Sequence, residues 1–205
     1  MKLAVIGHTS SIGKHLYNRY NNSDHEVIGF SRFNGYKLSS TDTEIINKVV
    51  DSCADCSVII NAAYDMKNHK DNFQLALFLA LYDRYKDTNK HIINISSTAS
   101  TLPKNRPISS VLPSIDYIRN KKRLCITTRS LRLNNNSIKL STIRPGILEN
   151  KSAYSIRVKR GYLFYRDMDQ LFDDAIFNNV ELDHTIEKRA NGEIYIDVNT
   201  VIEDE

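Results

Sequence analysis

Tyr117 and Lys121 are a tyrosine and a lysine whose types and spacing suit acid–base chemistry. Residues four apart lie on one face of a helix, so the two side chains are neighbours if this segment is helical. A tyrosine is a poor base at neutral pH because its ordinary pKa is about 10, but a nearby ammonium stabilises the phenolate and lowers that pKa. Such a pair can exchange a proton with an alcohol or carbonyl oxygen. The same spacing is common on helix surfaces, so its meaning depends on the residues around it.

Two serines, Ser96 and Ser97, follow the predicted strand His91–Ile95. Ligands of open α/β sheets bind at the carboxyl ends of the strands, which is where these hydroxyls are expected. The Ser97 hydroxyl could then hold the same oxygen that exchanges a proton with Tyr117. No side chain carries a hydride, so a redox reaction at this oxygen needs a nicotinamide cofactor.

A glycine-containing loop after the first predicted strand, Lys2–Ile6, is typical of a dinucleotide site. Gly7 would allow a sharp turn and Gly13 a close approach of the following helix to the strand, with the pyrophosphate on the helix N-terminus. Ser10 replaces the glycine common at the middle of such loops, but it still offers a backbone N–H and a hydroxyl. The alternative is a tight strand–helix turn without a ligand. The predicted cofactor contacts in this loop are Gly7, Thr9, Ser10, Ser11, Ile12 and Gly13.

The end of the second predicted strand, His25–Phe30, favours NADP over NAD. NAD sites usually place an acid here to hold the ribose 2′-hydroxyl, whereas this chain has Ser31 and Arg32. The planar guanidinium of an arginine can make two charge-assisted hydrogen bonds to a 2′-phosphate. The alternative is an exposed arginine in a loop. We therefore predict an NADP site with Arg32, and to a lesser degree Ser31, on the 2′-phosphate.

Alternating apolar runs and amphipathic stretches predict an α/β fold with a doubly wound, mostly parallel sheet, a Rossmann-like three-layer α/β/α arrangement. The predicted strands are Lys2–Ile6, His25–Phe30, Ser57–Asn61, His91–Ile95, Ile138–Ile143 and Glu193–Val198. The predicted helices are Ile12–Tyr20, Thr43–Asp51 with Asp42 as N-cap, Asp71–Tyr85, Ser114 to about Leu133, and Asp167–Asn178. We expect one domain over residues 1–205, with a small substrate-side segment within about 148–190.

The composition fits an ordinary globular domain, with 41% hydrophobic residues, 25% charged residues and a net charge of +4. No apolar run approaches the ~20 residues of a membrane span, and the histidines lack metal-ligand spacing, so we expect neither membrane nor metal. Three cysteines and no secretory signal predict structural thiols in the cytoplasm. The basic run Lys121-Lys122-Arg123 is expected to be a solvated helix face, with no nucleic acid bound.

The order of these motifs resembles the short-chain dehydrogenase/reductase superfamily from residue 1 to about residue 147. Ser97, Tyr117 and Lys121 match the superfamily's catalytic positions, and Asn72 resembles the helix asparagine that supports a proton relay to the lysine. The resemblance implies that Lys121 and Tyr117 also contact the cofactor. It further implies cofactor contacts along two segments, Asn61-Ala62-Ala63 and the residues Pro145, Gly146 and Ile147.

Several features resemble the extended, epimerase-like branch of the superfamily. Ser97 and Tyr117 are twenty residues apart, and residues 162–180 resemble the place where that branch returns to the sheet. The intervening segment Leu102–Pro107 is expected to form a loop over the substrate mouth. The resemblance implies an NADP-dependent oxidoreductase acting on an alcohol or carbonyl through Ser, Tyr and Lys. The alternatives are a nucleotide-sugar epimerase or dehydratase and a non-catalytic NADP-binding regulator. The two long helices could form a homodimer interface.

Overall fold

The computed structural model describes residues 1–9, 11–36, 38, 41–65, 72–102, 114–134, 136–146, 148, 163–188 and 193–198. Its strands are β1 Lys2–Ile6, β2 Glu26–Phe30, β3 Val58–Asn61, β4 His91–Ile95, β5 Lys139–Pro145, β6 Asp183–Lys188 and β7 Ile194–Val198. Its helices are α1 Ser11–Asn21, α2 Thr43–Ser52, α3 Phe73–Tyr85, α4 Ile115–Arg132 and α5 Asp169–Phe177. Asp42 caps α2 through a bond from the Glu44 N–H to its carboxylate, as predicted.

The strands form a seven-stranded sheet in the order β2-β1-β3-β4-β5-β6-β7. The strands β1 to β6 run parallel, and β7 pairs antiparallel with β6 at the edge. The predicted doubly wound, mostly parallel α/β sheet is confirmed. The chain order reverses between β1 and β3, and in open α/β sheets ligands bind outside the carboxyl ends of strands at such a switch point.

Both faces of the central strands are buried, because each face of the sheet packs against helices with an apolar stripe. The spacing of four between Ile12, Leu16 and Tyr20 places all three on the buried face of α1, which shares one core cluster with α5. Helices α2 and α3, with Leu124 of α4, pack in the other cluster. All residues of β3 and β4 are buried, as expected for central parallel strands.

Strand β6 was not predicted, because its six residues are mostly polar or charged and include only one large apolar residue, Ile186. It is nevertheless half-buried, and its Asp183 forms ion pairs with Arg144 and Arg129. Arg144 is fully buried and also donates from Nε to Thr185 and from Nη2 to the Asp183 carbonyl. The polar residues of β6 therefore belong to a paired interior network, which an apolar pattern cannot reveal.

The C-terminal part of the chain adds to the same sheet. Within the predicted substrate-side segment, residues 163–188 form α5 and β6, and side chains such as Leu163, Met168 and Phe172 are buried in the core. Residues 149–162 lie outside the described part of the chain. The segment that the structure describes is thus a layer of the fold, with α5 held to α1 by ion pairs between Arg19 and both Asp169 and Asp173.

Helix α4 is only in part the solvated basic face that the sequence predicted, because Arg123 is exposed but the two lysines before it are not. Lys121 and Lys122 are each only 4% exposed, and Arg132 donates to the carbonyls of Leu140 and Leu182. Lys121 and Arg132 bond to the interior because α4 packs against β4 and β5. Among the described residues, no helix is long and apolar enough to cross a membrane.

Candidate functional site

In the loop between β1 and α1, two glycines lie so close to neighbouring backbone that neither position has room for a side chain. Gly7 has φ of +91°, and a Cβ there would lie 2.9 Å from the backbone of Ala63. A Cβ on Gly13 would lie 2.3 Å from the Gly7 carbonyl oxygen. Both positions need glycine, so the first turn of α1 lies directly against the carboxyl end of β1. Ser11 begins the helix with φ of +50°, Ile12 is buried beneath it, and Ser10 lies outside the described residues.

A cavity opens at the carboxyl ends of β1, β2 and β3, and we call it the sheet-end cavity. It lies at the switch point of the sheet, beside the N-terminus of α1. Its lining residues are Gly7, Thr9, Ser31, Arg32, Leu38, Ala63, Tyr64 and Asp65. The structure thus brings together the predicted loop, the two residues after β2 and the segment after β3. Ala62 lies next to this lining, and its N–H donates to the Ile6 carbonyl.

Arg32 and Ser31 occupy different environments at this cavity. The Arg32 side chain is exposed at the start of a short 3₁₀ turn, Arg32–Asn34. Ser31 is only 2% exposed, and its hydroxyl accepts the Phe33 N–H and donates to Asn34 Oδ1. Ser31 therefore caps the turn that carries Arg32. The Arg32 guanidinium faces solvent at the edge of the cavity.

Ser97 and Tyr117 meet although they are twenty residues apart. Ser97 lies two residues beyond β4, and Ser114 caps α4, so that Tyr117 falls in the first turn of that helix. The Ser97 hydroxyl lies near enough to the Tyr117 phenol to affect its pKa. The Ala99 N–H donates to Ser97 Oγ, which leaves the serine hydrogen for another acceptor. Burial raises the pKa of Tyr117 above its ordinary value, and the nearby Ser97 hydroxyl only partly opposes this, so the phenol is protonated at neutral pH.

Lys121 lies one turn further along α4, with its ammonium inside the protein. Its Nζ donates to Gln74 Oε1 at 2.6 Å and to the Ile95 carbonyl at 3.0 Å. The Tyr117 ring centroid is 5.7 Å from Nζ. Burial lowers the pKa of Lys121 to about 7, since the cation has lost its water. The lysine is therefore beside the tyrosine, but its described hydrogen bonds point towards α3 and β4.

Tyr64 joins the sheet-end cavity to Tyr117 and Lys121. Its ring lies 4.5 Å from Lys121 Nζ and meets the Tyr117 ring at 5.0 Å between centroids, nearly perpendicular at 86°. Its hydroxyl accepts a bond from Asn120 Nδ2 at 3.4 Å. Tyr64 was not singled out from the sequence, although its position directly after Asn61-Ala62-Ala63 could have indicated it.

The amide that bonds Lys121 belongs to Gln74, which sequence reasoning also missed. Asn72, the predicted relay asparagine, caps α3 by accepting the Leu75 N–H, and its role in a relay stays a prediction. Asn61 is fully buried, and its Nδ2 donates to Asn94 Oδ1 and to the Gln74 carbonyl. In the described structure its side chain thus joins strands and helix, and does not line the sheet-end cavity.

The segment after β5 is described only in part. Pro145 ends the strand, and the Gly146 N–H donates to the Ile186 carbonyl of β6. Ile147 lies outside the described residues, as do Pro103–Pro107 of the predicted loop before α4. No group of three or more His, Cys, Asp or Glu side chains that could hold a metal occurs among the described residues.

The fold and its sheet-end cavity define a nucleotide-binding protein of the Rossmann type. Residues 3–119, more than half of the chain, match the NAD dependent epimerase/dehydratase family. The chain belongs to this family, and the predicted resemblance to epimerase-like short-chain dehydrogenases/reductases is confirmed. None of the curated proteins compared with the chain matches it.

Solved dehydrogenase structures share the fold at low sequence identity. The 3-alpha-hydroxysteroid dehydrogenase from Pseudomonas sp. B-0831, complexed with NADH, is 16% identical with a TM-score of 0.66, covering 85% of this chain and 89% of that one. A 4-hydroxyisoleucine dehydrogenase complexed with NADH gives the same values. A small-chain dehydrogenase in complex with NADPH is 17% identical with a TM-score of 0.59, covering 85% of this chain and 80% of that one. At these identities the likeness shows the fold.

Proposed function

We propose that this protein is an NADP-dependent oxidoreductase that acts on an alcohol or carbonyl group through Ser97, Tyr117 and Lys121. The observation that carries the proposal is that Ser97, Tyr117 and Lys121 lie side by side next to the sheet-end cavity, with the Lys121 ammonium 5.7 Å from the Tyr117 ring centroid. Two hydroxyls from distant parts of the chain converge where a parallel sheet binds ligands. Membership of the epimerase/dehydratase family supports the same class of chemistry.

The residues of the cavity fit a dinucleotide. The cradle formed by Gly7 and Gly13 lets a phosphate approach the backbone N–H groups at the start of α1, where the helix dipole favours negative charge. Thr9, Ser11 and Ile12 belong to the same loop, as does Ser10. Arg32 would hold the 2′-phosphate of NADP, and Ala63 would lie along the nucleotide. The predicted contacts of Asn61, Ala62, Pro145, Gly146 and Ile147 stay part of this proposal.

When bound, the nicotinamide would supply or accept the hydride that side chains cannot carry. In the reductive direction, Tyr117 would donate its phenolic proton to the substrate oxygen as the carbonyl carbon gains the hydride. Burial keeps that phenol protonated before the reaction, which suits a proton donor. The Ser97 hydroxyl would donate a hydrogen bond to the same oxygen. Lys121, beside the ring, would stabilise the phenolate left behind and touch the cofactor ribose.

A screen with several substrate classes tests this proposal. Alcohols, ketones and nucleotide sugars are incubated with the protein and NADP or NADPH, and absorbance of the reduced nicotinamide is followed. Net oxidation of NADPH by a carbonyl, or reduction of NADP by an alcohol, is the expected result. Isomerised or dehydrated sugar without net change in NADPH would instead favour the epimerase or dehydratase alternative. Nucleotide binding without turnover in any class would favour a regulator.

Two further expectations belong to the proposal. Cys53, Cys56 and Cys125 are free and buried, which fits the predicted cytoplasmic location. A homodimer through α3 and α4 stays a prediction, and the mass in solution tests it. A mass of 23.5 kDa by light scattering would contradict the dimer.

A further inference from the structure

The buried side chain of Gln74 makes three hydrogen bonds beside Lys121. It is 2% exposed in the first turn of α3. Its Nε2 donates to the Asn61 carbonyl at 2.8 Å and to the Ile95 carbonyl at 2.9 Å. Its Oε1 accepts from Lys121 Nζ at 2.6 Å. The side chain thus ties the ends of β3 and β4 to the ammonium on α4.

These contacts fix which way the amide faces. The nitrogen of an amide is a donor only, and the oxygen is an acceptor only. The carbonyls of Asn61 and Ile95 require the nitrogen, so the oxygen must face Lys121. A reversed amide would place its NH₂ against the ammonium and its oxygen against two carbonyls. Gln74 is therefore a preset acceptor aimed at Nζ.

We infer that Gln74 is a positioning residue that holds the Lys121 ammonium beside Tyr117. The inference rests on the proposed function for its purpose, but the contact itself stands in the protein without cofactor. An acceptor at hydrogen-bond distance favours the charged form of a lysine, whereas burial favours the neutral form. Gln74 thus keeps a buried lysine able to carry charge near the tyrosine, which is the state that can stabilise a phenolate.

Gln74 Oε1 is the side-chain oxygen that accepts a hydrogen bond from the Lys121 ammonium among its described contacts. The other groups that face the ammonium are the Ile95 carbonyl on β4, the Tyr64 ring before α3, and Tyr117 and Cys125 on its own helix. Among the described contacts of Nζ, none is with a carboxylate. A glutamate in place of Gln74 would supply one, but it would lose the two bonds to the carbonyls. Glutamine is the residue that satisfies all three partners at once.

Two substitutions should move the titration of Lys121 in opposite directions. Gln74→Met keeps the length but removes the acceptor, so the pKa of Lys121 should fall by about 1 to 2 pH units. Gln74→Glu places a carboxylate at the same point, so that pKa should rise by about 1 to 3 pH units. The measurement is a ¹³Cε NMR titration of lysine-labelled, cofactor-free full-length protein, with the signal assigned through Lys121→Arg.

A matched control separates positioning from packing. Asn94→Leu removes a neighbouring buried amide, which donates to Thr128 and accepts from Asn61 but does not touch Lys121. Asn94→Leu should lower the free energy of unfolding but leave the pKa of Lys121 unchanged. If Gln74→Met does not fold, Gln74→Leu, which also removes the acceptor, takes its place, and an unchanged Lys121 pKa in that variant overturns the inference. Equal shifts in Asn94→Leu and Gln74→Met would also overturn it.

The titration also distinguishes this inference from the proposed function. If a substrate is found, the pH limb of kcat/KM that reports Lys121 should move with the NMR value in each variant. If the Lys121 pKa shifts as expected in the Gln74 variants but the protein shows no NADP-dependent turnover, the oxidoreductase proposal is contradicted and the role of Gln74 in holding Lys121 is supported. Unshifted titrations in an active enzyme would contradict the role of Gln74 alone.

Discussion

Arg32 is the residue on which the cofactor preference depends. It is exposed at the edge of the sheet-end cavity, while Ser31 beside it is buried and already bonded within its turn. A 2′-phosphate bound here would therefore gain its charge-assisted bonds from the guanidinium and little from the Ser31 hydroxyl.

Arg32→Ala should weaken NADPH binding and leave NADH binding nearly unchanged. The loss of a charge-assisted contact costs about 1.5 to 3 kcal/mol, which corresponds to a roughly 10-fold to 100-fold increase in Kd. Titration of nicotinamide fluorescence measures both affinities. Arg84→Ala, on an exposed ion pair with Asp51 at the end of α3, serves as control. An equal loss for NADH, or a wild type that prefers NADH, would show that Arg32 does not read the 2′-phosphate.

At the scale of the elements, strand β6 is held to β5 by the charge network around Asp183. Arg144 is fully buried, so Asp183 is the carboxylate that compensates it. The two arginines beside Asp183 also hold its pKa below the ordinary value against the opposing effect of burial. Removing one partner of a buried pair leaves an uncompensated charge in the interior.

Asp183→Ala should therefore destabilise the protein by about 3 to 5 kcal/mol in urea unfolding. The matched control is Asp51→Ala, which breaks the exposed pair with Arg84 and should cost less than about 1 kcal/mol. Similar losses for the two variants would mean that the interior pair contributes no more than a surface pair, and the account of β6 would be wrong.

The elements also show what an apolar pattern can and cannot predict. Strands β1 and β4 have the predicted bounds, because continuous apolar runs mark central parallel strands. Strand β6 was missed because two of its three buried residues, Asp183 and Thr185, are polar, and the charge of Asp183 is compensated by Arg144, which is distant in sequence. The meeting of Ser97 and Tyr117 follows from topology alone. The Gln74–Lys121 contact does not, since it depends on how α3 and α4 pack.

For the molecule as a whole, His91 makes stability depend on pH. It lies buried at the start of β4, with Nδ1 on the Ala175 carbonyl and Nε2 on Ser141 Oγ, so it links the sheet to α5. Burial lowers the pKa of His91 from 6.5 to about 4. The unfolded chain therefore binds a proton between these values that the folded protein does not, and stability must fall as the pH falls through this window.

The free energy of unfolding should drop by about 2 kcal/mol between about pH 7 and about pH 5 through His91 alone. Urea unfolding at several pH values measures the slope. His91→Gln keeps a donor and an acceptor but does not titrate, so its slope in this window should be flatter. If the free energy of unfolding of His91→Gln falls with pH as steeply as that of the wild type, the pH dependence comes from other groups.

The proposed chemistry depends most directly on the Tyr117 hydroxyl, and Tyr117→Phe tests it once a substrate is in hand. A placed proton donor contributes about 100-fold to 10,000-fold in rate, so kcat should fall by that factor while the Kd for NADPH stays within about twofold. The control is Tyr85→Phe, which removes a buried hydroxyl bonded to the Val50 carbonyl away from the sheet-end cavity. Its kcat should match the wild type. Full turnover in Tyr117→Phe would contradict the assignment of Tyr117 as the acid.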